Sequence, residues 1–318
     1  MPKSMLRMFG ITTMFKGRLV LSQVLLFLSA LTTVGFATLT QGLVNQGIEA
    51  GDPEALLRIA VWMFVLAVIA GLCMAGAAAL AVFFSQGTSY MIRARLYKKL
   101  QTFSFANYDR FSTGRLMVNL NSDAINVQNG MLWALMLGLY APFMILCTLV
   151  LVIINTRELL WLLLVVIAVV LGAMFLLIPA VFRAYENRQK RLDDLNSALQ
   201  EDVTGIQVVK AFVREDYEIE RFSKRSDAMR VPAYGAAWRV AFLSPLLTGL
   251  GQLAMLSGVF VGGMQVLNNT GLNVGQVFAF TQYLSLTVAP LAMLAIVIPM
   301  VLRGDTSAER ILEVYDSD

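Results

Sequence analysis

Residues 159–182 read LLWLLLVVIAVVLGAMFLLIPAVF, an apolar run of 24 residues without a charged side chain. An α-helix of about 20 such residues crosses the hydrocarbon core of a bilayer. Four further blocks lack charge in the same way, namely 19–48, 59–92, 124–156 and 240–302. Polar residues at 268–273 interrupt the last block, so it has room for two helices and a short loop. The sequence therefore predicts an all-α integral membrane fold with six transmembrane helices.

The composition excludes several other classes of protein. The 318 residues are 58% hydrophobic and 14% charged, whereas soluble domains carry roughly 25% charged residues. Despite a sequence pI of 9.1, a nucleic-acid-binding module is excluded because most of the chain is suited to lipid. The chain has no histidine, which excludes Ser-His-Asp hydrolysis, His-ligated zinc and a histidine proton relay. Cys73 and Cys147 lie in apolar blocks and are expected to be inert, so we predict no metal site.

The basic residues predict the orientation in the membrane. Of 25 Lys and Arg residues, 23 lie in the leader 1–18, the segments 93–123 and 183–239, and the tail from 303. Only Arg58 and Arg157 lie in the intervening loops. Positive charge accumulates on the cytoplasmic side, so both termini and both long segments are predicted to be cytoplasmic.

The same patterns give boundaries for the domains. We predict an amphipathic leader helix over 1–18, a transmembrane domain over 19–302 and a linker over 303–318. The long cytoplasmic segments are predicted to extend the membrane helices into two helical hairpins, because apolar residues between 192 and 212 recur at steps of three and four. The six predicted helices are 19–46, 59–100, 126–155, 159–200, 238–267 and 274–302.

The source of energy is suggested by what the apolar blocks lack. A proton- or sodium-coupled carrier places ionisable groups near the bilayer midplane, and none of the five blocks contains one. This disfavours the alternative of an ion-coupled secondary transporter. The lack of histidine and of clustered acids disfavours an integral-membrane enzyme without nucleotide. Any uphill transport is expected to draw its energy through the cytoplasmic hairpins.

Four motifs occur in these regions. The first is YDRFSTGRL at 108–116, followed by Asp123. The second, third and fourth are EDVTGIQVVKAFVRE at 201–215, NVGQVFAFTQY at 273–283 and SAERILEV at 307–314. In these residues and in their order along the chain, the sequence resembles the transmembrane domain of ABC exporters.

The resemblance implies a coupling helix at the tip of each hairpin, at 105–113 and 204–212, seated on ATPase domains. Gly114 and Gly205 would let the chain turn at low steric cost. The residues implied to couple to the ATPase domain are Tyr108, Asp109, Thr113, Gly114, Glu201, Gly205, Ile206, Val209, Lys210 and Phe212. The sequence departs from the family at Asn107, Asn119 and Gly304, which predicts altered contact with the ATPase partner.

The nucleotide site is expected on a partner domain. No G-x-x-x-x-G-K-[ST] motif occurs in the 318 residues, so no phosphate cradle is predicted here and the chain by itself is not expected to be an enzyme. ATP and Mg²⁺ would bind a nucleotide-binding domain that either was removed by truncation or is a separate polypeptide. The retained linker-like stretch favours truncation. A second transmembrane half, identical or different, would complete an ATP-hydrolysing exporter that works by alternating access.

The substrate is predicted to be hydrophobic or amphipathic, such as a small molecule, a lipid or a peptide. Large apolar residues and a few polar groups in the membrane blocks are suited to such a ligand. The candidate cavity residues are Met136, Tyr140, Phe143, Phe278, Phe280, Gln282, Tyr283 and Thr287. The predicted location is the plasma membrane of a prokaryote.

Overall fold

The computed structural model describes residues 3–11, 16–269 and 271–317. Within these ranges the chain is helical and contains no β-strand. In chain order the helices are α1 (Lys3–Ile11), α2 (Lys16–Gly42), α3 (Pro53–Leu100), α4 (Phe105–Arg110), α5 (Thr113–Val118), α6 (Ala124–Trp133), α7 (Leu139–Asn155), α8 (Leu160–Thr204), α9 (Ile206–Ala211), α10 (Glu215–Leu267) and α11 (Val274–Tyr315).

Six continuous helical segments in this part of the chain are long and apolar enough to cross a membrane. The first extends α2 by a π-helical segment at Leu43–Glu49. The third joins α5, α6 and α7 through π-helical segments at Asn119–Asp123 and Ala134–Gly138. The prediction of six transmembrane helices in an all-α fold is confirmed.

Three of these helices extend well beyond the predicted limits. The third begins at Thr113 rather than 126, the fifth at Glu215 rather than 238, and the sixth continues to Tyr315 rather than 302. The predicted linker 303–318 is therefore helical through Tyr315. The prediction followed the charge-free blocks, but a helix needs only its own backbone hydrogen bonds and continues into polar surroundings.

Capping residues explain several of the ends. Asp52 accepts hydrogen bonds from the backbone N–H groups of Glu54 and Ala55, and Pro53 occupies the first position of α3. This places the start of the second membrane helix before the predicted residue 59. Asn273 and Gln276 form a capping box at the start of α11, where the prediction had placed it. The first helix runs over 17–49 and the fourth over 157–204, close to the predicted 19–46 and 159–200.

The chain divides into two compact units, each described here by itself. The first comprises residues 1–167 and 253–318, in which α2 packs along α3, and α11 packs against α1, α2, α6 and α7. One end of this unit holds an apolar core that includes Phe84, Leu96, Phe111 and Ile311. The second unit comprises residues 168–252 and contains α9 with the adjoining parts of α8 and α10.

The leader folds onto the first unit. Met5 and Met8 on α1 are buried in its apolar core, whereas Leu6 and Arg7 are exposed. The backbone N–H of Met5 donates to Asp305 on α11 at 2.9 Å. The leader prediction covered 1–18, of which residues 12–15 lie outside the described residues and Lys16 begins α2. The apolar face of α1 is thus covered by protein, a partner that amphipathicity alone could not distinguish from lipid.

Candidate functional site

The first tip is the turn that contains α4, between α3 and α5. Ser112 caps α5 by accepting a hydrogen bond from the backbone N–H of Arg115. The ring of Phe111 is buried and lies 6.0 Å from the ring of Phe103. Phe105, by contrast, is 93% exposed. The first tip therefore combines a buried aromatic residue, Phe111, with an almost fully exposed one, Phe105.

The predicted residues of the first tip lie in different settings. The Tyr108 hydroxyl donates to the Leu100 carbonyl at 3.0 Å, so this side chain closes the end of α3. Thr113 and Gly114 are exposed, and the side chain of Asp109 lies outside the described residues. Gly114 does not end a helix, because it is the second residue of α5.

The break at the first tip falls at Phe111 and Ser112. The Phe111 backbone is extended (φ −106°, ψ 104°), and Ser112 supplies a cap that does not need glycine's conformational freedom. Phe105 was inside the predicted coupling helix, but we had not named it as a contact residue.

The second tip is α9, between α8 and α10. Gly205 separates α8 from α9 with φ −89° and ψ 6°, and no residue of α9 is buried. Ile206, Val208 and Phe212 are exposed, and Phe212 has 73% of its surface accessible. Val209 is half-buried. Val208 was absent from the predicted set, because the periodicity used there favoured one face of a longer helix.

Charged side chains surround the second tip. Lys210 donates to a carboxylate oxygen of Glu215 at 2.9 Å. Arg221 on α10 lies 3.0 Å from Glu201 and 3.1 Å from Glu218. Two predicted residues, Lys210 and Glu201, thus join α9 and α8 to the start of α10. The second tip consists of exposed apolar residues beside exposed ion pairs.

The backbone at the end of α9 is strained. Val213 has φ 52°, a left-handed conformation that costs an L-residue roughly 1–2 kcal/mol. The backbone N–H of Arg214 donates to the Val209 carbonyl at 3.0 Å, as in helix ends where glycine usually occupies this position. The strain is local and lies beside the exposed Phe212.

Two departures from the family pattern lie inside the first unit. Asn119 is fully buried. A Cβ on Gly130 would lie 3.1 Å from the Cα of Gly304, so these glycines let α6 and α11 approach closely. Asn119 and Gly304 are both buried within this chain, and an altered contact with the ATPase partner stays a prediction. Asn107 is half-buried.

The candidate cavity residues separate into three groups. The first group lies on or beside α7 and contains Met136, Tyr140 and Phe143, all half-buried. The Phe143 ring meets that of Phe27 on α2 edge-on at 5.5 Å. Phe143 therefore packs against α2.

The second group lies on the inner side of α11. Phe280, Tyr283 and Thr287 are fully buried. The hydroxyl groups of Tyr283 and Thr38 are 2.7 Å apart, and Thr287 donates to the Tyr283 carbonyl. These residues hold helices of the first unit together, so they are not open to a ligand in this structure.

The third group lies in an apolar groove between α10 and α11. Phe278 is exposed and Gln282 half-buried, and both line a cavity of about 550 Å³. A Cβ on Gly258 would lie 2.8 Å from a methyl carbon of Leu284, and one on Gly262 would lie 2.9 Å from Val277. The spacing Gly-x-x-x-Gly, which favours close helix packing, was the sequence signal for this missed contact.

The six helices long and apolar enough to cross a membrane make this chain a candidate multi-pass membrane domain. Residues 19–291 match the ABC transporter transmembrane region, and the chain belongs to this family. An ABC transporter ATP-binding protein of Bacillus subtilis, YfiB, is 30% identical over 74% of this chain and 41% of its own length.

More distant relatives cover more of the chain. The ABC transporter ATP-binding protein Mb1304c of Mycobacterium bovis is 24% identical over 91% of this chain and 50% of its own length. The ATP-dependent lipid A-core flippase of Syntrophus aciditrophicus is 23% identical over 94% of this chain and 50% of its own length. The chain thus spans about half the length of these relatives.

Proposed function

We propose that this chain is the membrane half of an exporter driven by ATP hydrolysis on nucleotide-binding domains, with α4 and α9 as its coupling helices. The supporting observation is that both tips present apolar side chains, Phe105 at the first and Ile206, Val208 and Phe212 at the second. The charge distribution, with 23 of 25 basic residues on one side, assigns both tips and both termini to the cytoplasm. Apolar side chains outside the bilayer are suited to a protein partner.

The composition of each tip fits a protein interface. Phe212 is a large exposed aromatic residue, and the ion pair of Lys210 with Glu215 flanks it along the chain. An apolar centre with charged residues around it is typical of hot spots. Tyr108 hydrogen-bonds to the Leu100 carbonyl beside the first tip, and Glu201 pairs with Arg221 beside the second tip. We assign Phe105, Ile206, Val208 and Phe212 as contact residues, and Tyr108 and Glu201 as residues that position them.

The substrate is assigned as an apolar or amphipathic molecule. Of the candidate cavity residues, Phe278 and Gln282 combine an exposed aromatic ring with a polar amide in one apolar groove, which suits a ligand with both characters. A relative that is named as a lipid A-core flippase is in keeping with a lipid-like substrate. Alternating access would expose this surface to each side of the membrane in turn.

The assembly would need further parts. A second transmembrane half, identical or different, would complete the path, and ATP with Mg²⁺ would bind the nucleotide-binding domains. The plasma membrane of a prokaryote is the location we assign. Hydrolysis would reach the membrane helices through α4 and α9, since each is joined at both ends to helices of the membrane domain.

The test compares Phe212→Ala with Phe175→Ala in the complete transporter reconstituted in liposomes. Both phenylalanines are exposed, but Phe175 lies in the uncharged block of α8 and away from either tip. Phe212→Ala is expected to lower the number of substrate molecules moved per ATP hydrolysed, because truncating an interface anchor costs about 2 kcal/mol or more. Phe175→Ala should leave this ratio unchanged. Equal ratios in the two variants would contradict the assignment of α9.

A companion test examines the groove. Phe278→Ala is expected to weaken substrate binding without changing basal ATP hydrolysis, and Phe260→Ala is the matched control because Phe260 is an exposed phenylalanine on α10. Transport that continues without ATP but follows an ion gradient would instead identify the ion-coupled alternative.

A further inference from the structure

A buried ion pair joins the first hairpin to the end of α11. The side chain of Asp123, the last residue of the π-helical segment Asn119–Asp123, is 1% exposed. Arg310 on α11 binds both of its carboxylate oxygens, with Nε 3.1 Å from Oδ2 and Nη2 on Oδ1. A buried carboxylate is stable only when it is paired and hydrogen-bonded. Asp123 therefore depends on Arg310.

A serine extends this pair into a small network. The Ser307 hydroxyl accepts a hydrogen bond from Nη2 of Arg310 at 3.0 Å and from the side-chain amide of Asn126 at 3.2 Å. Asp123, Asn126, Ser307 and Arg310 thus link the third membrane segment to α11 by charge-assisted and neutral hydrogen bonds. We call these four residues the clasp. A bidentate pair between an arginine and a carboxylate is strong and also fixes the relative orientation of the two side chains.

The two halves of the pair differ in exposure. The side chain of Arg310 is 42% exposed, whereas Asp123 is inaccessible. Arg310 can therefore be solvated if the pair opens, but Asp123 would remain buried as an uncompensated charge. Separating the two side chains is costly because Asp123, unlike Arg310, cannot be solvated. The pair therefore favours movement of its two helices together.

The location of the clasp connects it to the first tip. Asp123 lies on the helical segment that begins with α5, directly after α4. A second ion pair, Arg115 to Glu313 at 2.5 Å, joins the first turn of α5 to α11 but has both side chains exposed. The π-helical turn also ends at Asp123, and such turns are frequent at functional positions.

We propose that Asp123 and Arg310 are positioning residues that make the end of α11 and the first tip move as one body. This mechanical role rests on the proposed function, in which α4 contacts an ATPase domain. Movement delivered at either α4 or the end of α11 would then reach the other through the clasp. The membrane helices would receive one concerted displacement instead of two independent ones.

The unequal exposure predicts an unequal pair of variants. Arg310→Gln leaves Asp123 buried and unpaired, and is expected to lower the ratio of transport to ATP hydrolysis by about tenfold or more. Asp123→Asn leaves an arginine that can reach water, and should lower the ratio less. The double variant Asp123→Asn/Arg310→Gln removes the buried charge and restores a neutral hydrogen-bonding pair, so it should recover most of the ratio. Glu313→Gln, which breaks the exposed pair with Arg115, is the matched control and should change the ratio less than about twofold.

A distance measurement tests the clasp without reference to transport. Spin labels at Met117 on α5 and Thr306 on α11 use exposed positions, and the native cysteines Cys73 and Cys147 are buried. The distance distribution between the labels should be narrow in the otherwise unchanged chain, broad in Arg310→Gln and narrow again in the double variant. Recovery in the double variant would show that the unpaired buried charge of Asp123 causes the broadening.

The two experiments separate the possible failures. An unchanged distribution in Arg310→Gln, or a double variant as broad as the single one, would overturn the clasp. A complete transporter that shows no ATP-dependent transport would overturn the proposed function, while the distance measurement would still decide whether the two helices move together.

Discussion

The two tips, α4 and α9, are both six-residue helices, but they are stabilised by different kinds of contact. The first tip is built on its own core, with Phe111 buried beneath it and Tyr108 bonded to the Leu100 carbonyl. The second tip has no buried residue, carries a strained Val213 and is held by exposed ion pairs. The first should therefore keep its shape alone, whereas the second should depend on a partner for order.

The largest difference is expected on truncation of an aromatic ring. Phe111→Ala should lower the free energy of unfolding by about 3–5 kcal/mol, because it empties a buried site. Phe212→Ala should change it by no more than about 0.5 kcal/mol, because the ring is exposed. Denaturant unfolding of the chain in detergent micelles measures both. Similar losses for the two variants would remove the contrast between the tips.

A smaller loss in the free energy of unfolding is expected when the Tyr108 hydroxyl of the first tip is removed. Tyr108→Phe keeps the ring and removes the hydrogen bond to the Leu100 carbonyl, which should cost about 1 kcal/mol. Tyr217→Phe on α10 serves as the control, since Tyr217 is exposed. Faster amide exchange at the end of α3 in Tyr108→Phe alone would support the assigned role, and equal exchange in both variants would contradict it.

At the second tip a substitution should stabilise. Val213→Gly relieves the left-handed strain but gives the unfolded chain more freedom, so we expect a net local gain of about 0.5 kcal/mol. Slower hydrogen exchange of α9 measures this gain. Val231→Gly, in the interior of α10, should have the opposite sign because glycine weakens a regular helix. Faster exchange of α9 in Val213→Gly would show that the strain is not what destabilises this tip.

The smallest effect concerns salt. Lys210→Gln breaks the pair with Glu215, and should weaken α9 by roughly 0.2–1 kcal/mol at low ionic strength. The loss should fade near 1 M salt, where the screening length is about 3 Å. Lys224→Gln, whose pair with Glu220 lies within α10, should leave exchange in α9 unchanged. A loss independent of salt would assign Lys210 a packing role.

Local features of the sequence were sufficient for the existence of the six apolar helices and for some of their boundaries. Asn273 and Gln276 form a capping box that is visible as a pattern of residue types, and Gly205 separates α8 from α9 as its motif suggested. Gly114 was misjudged because the break depends on the Ser112 cap and on the Phe111 side chain packed beneath it. Packing beneath a turn involves residues distant in the sequence, so no local pattern contains it.

Which face of each membrane helix is buried could not be predicted from the sequence for the same reason. Phe278 and Phe280 are both aromatic residues of one membrane helix, yet Phe278 lines the groove and Phe280 is buried beside Gly258. In lipid, apolar side chains occur on every face, so hydrophobicity does not distinguish the inside of the bundle from its outside. Phe280 is buried in this structure, and its role as a cavity residue stays a prediction.

The sequence by itself determined that this protein has six helices long and apolar enough to cross a membrane, and to which family it belongs, since hydrophobic length and short motifs are local. Only the tertiary structure decided that Asp123 meets Arg310, that Tyr283 meets Thr38, and which aromatic residues remain open. Each of these depends on how two distant helices are rotated about their axes. That rotation is set by close contacts such as Gly130 with Gly304, where the absence of two side chains allows the backbones to touch.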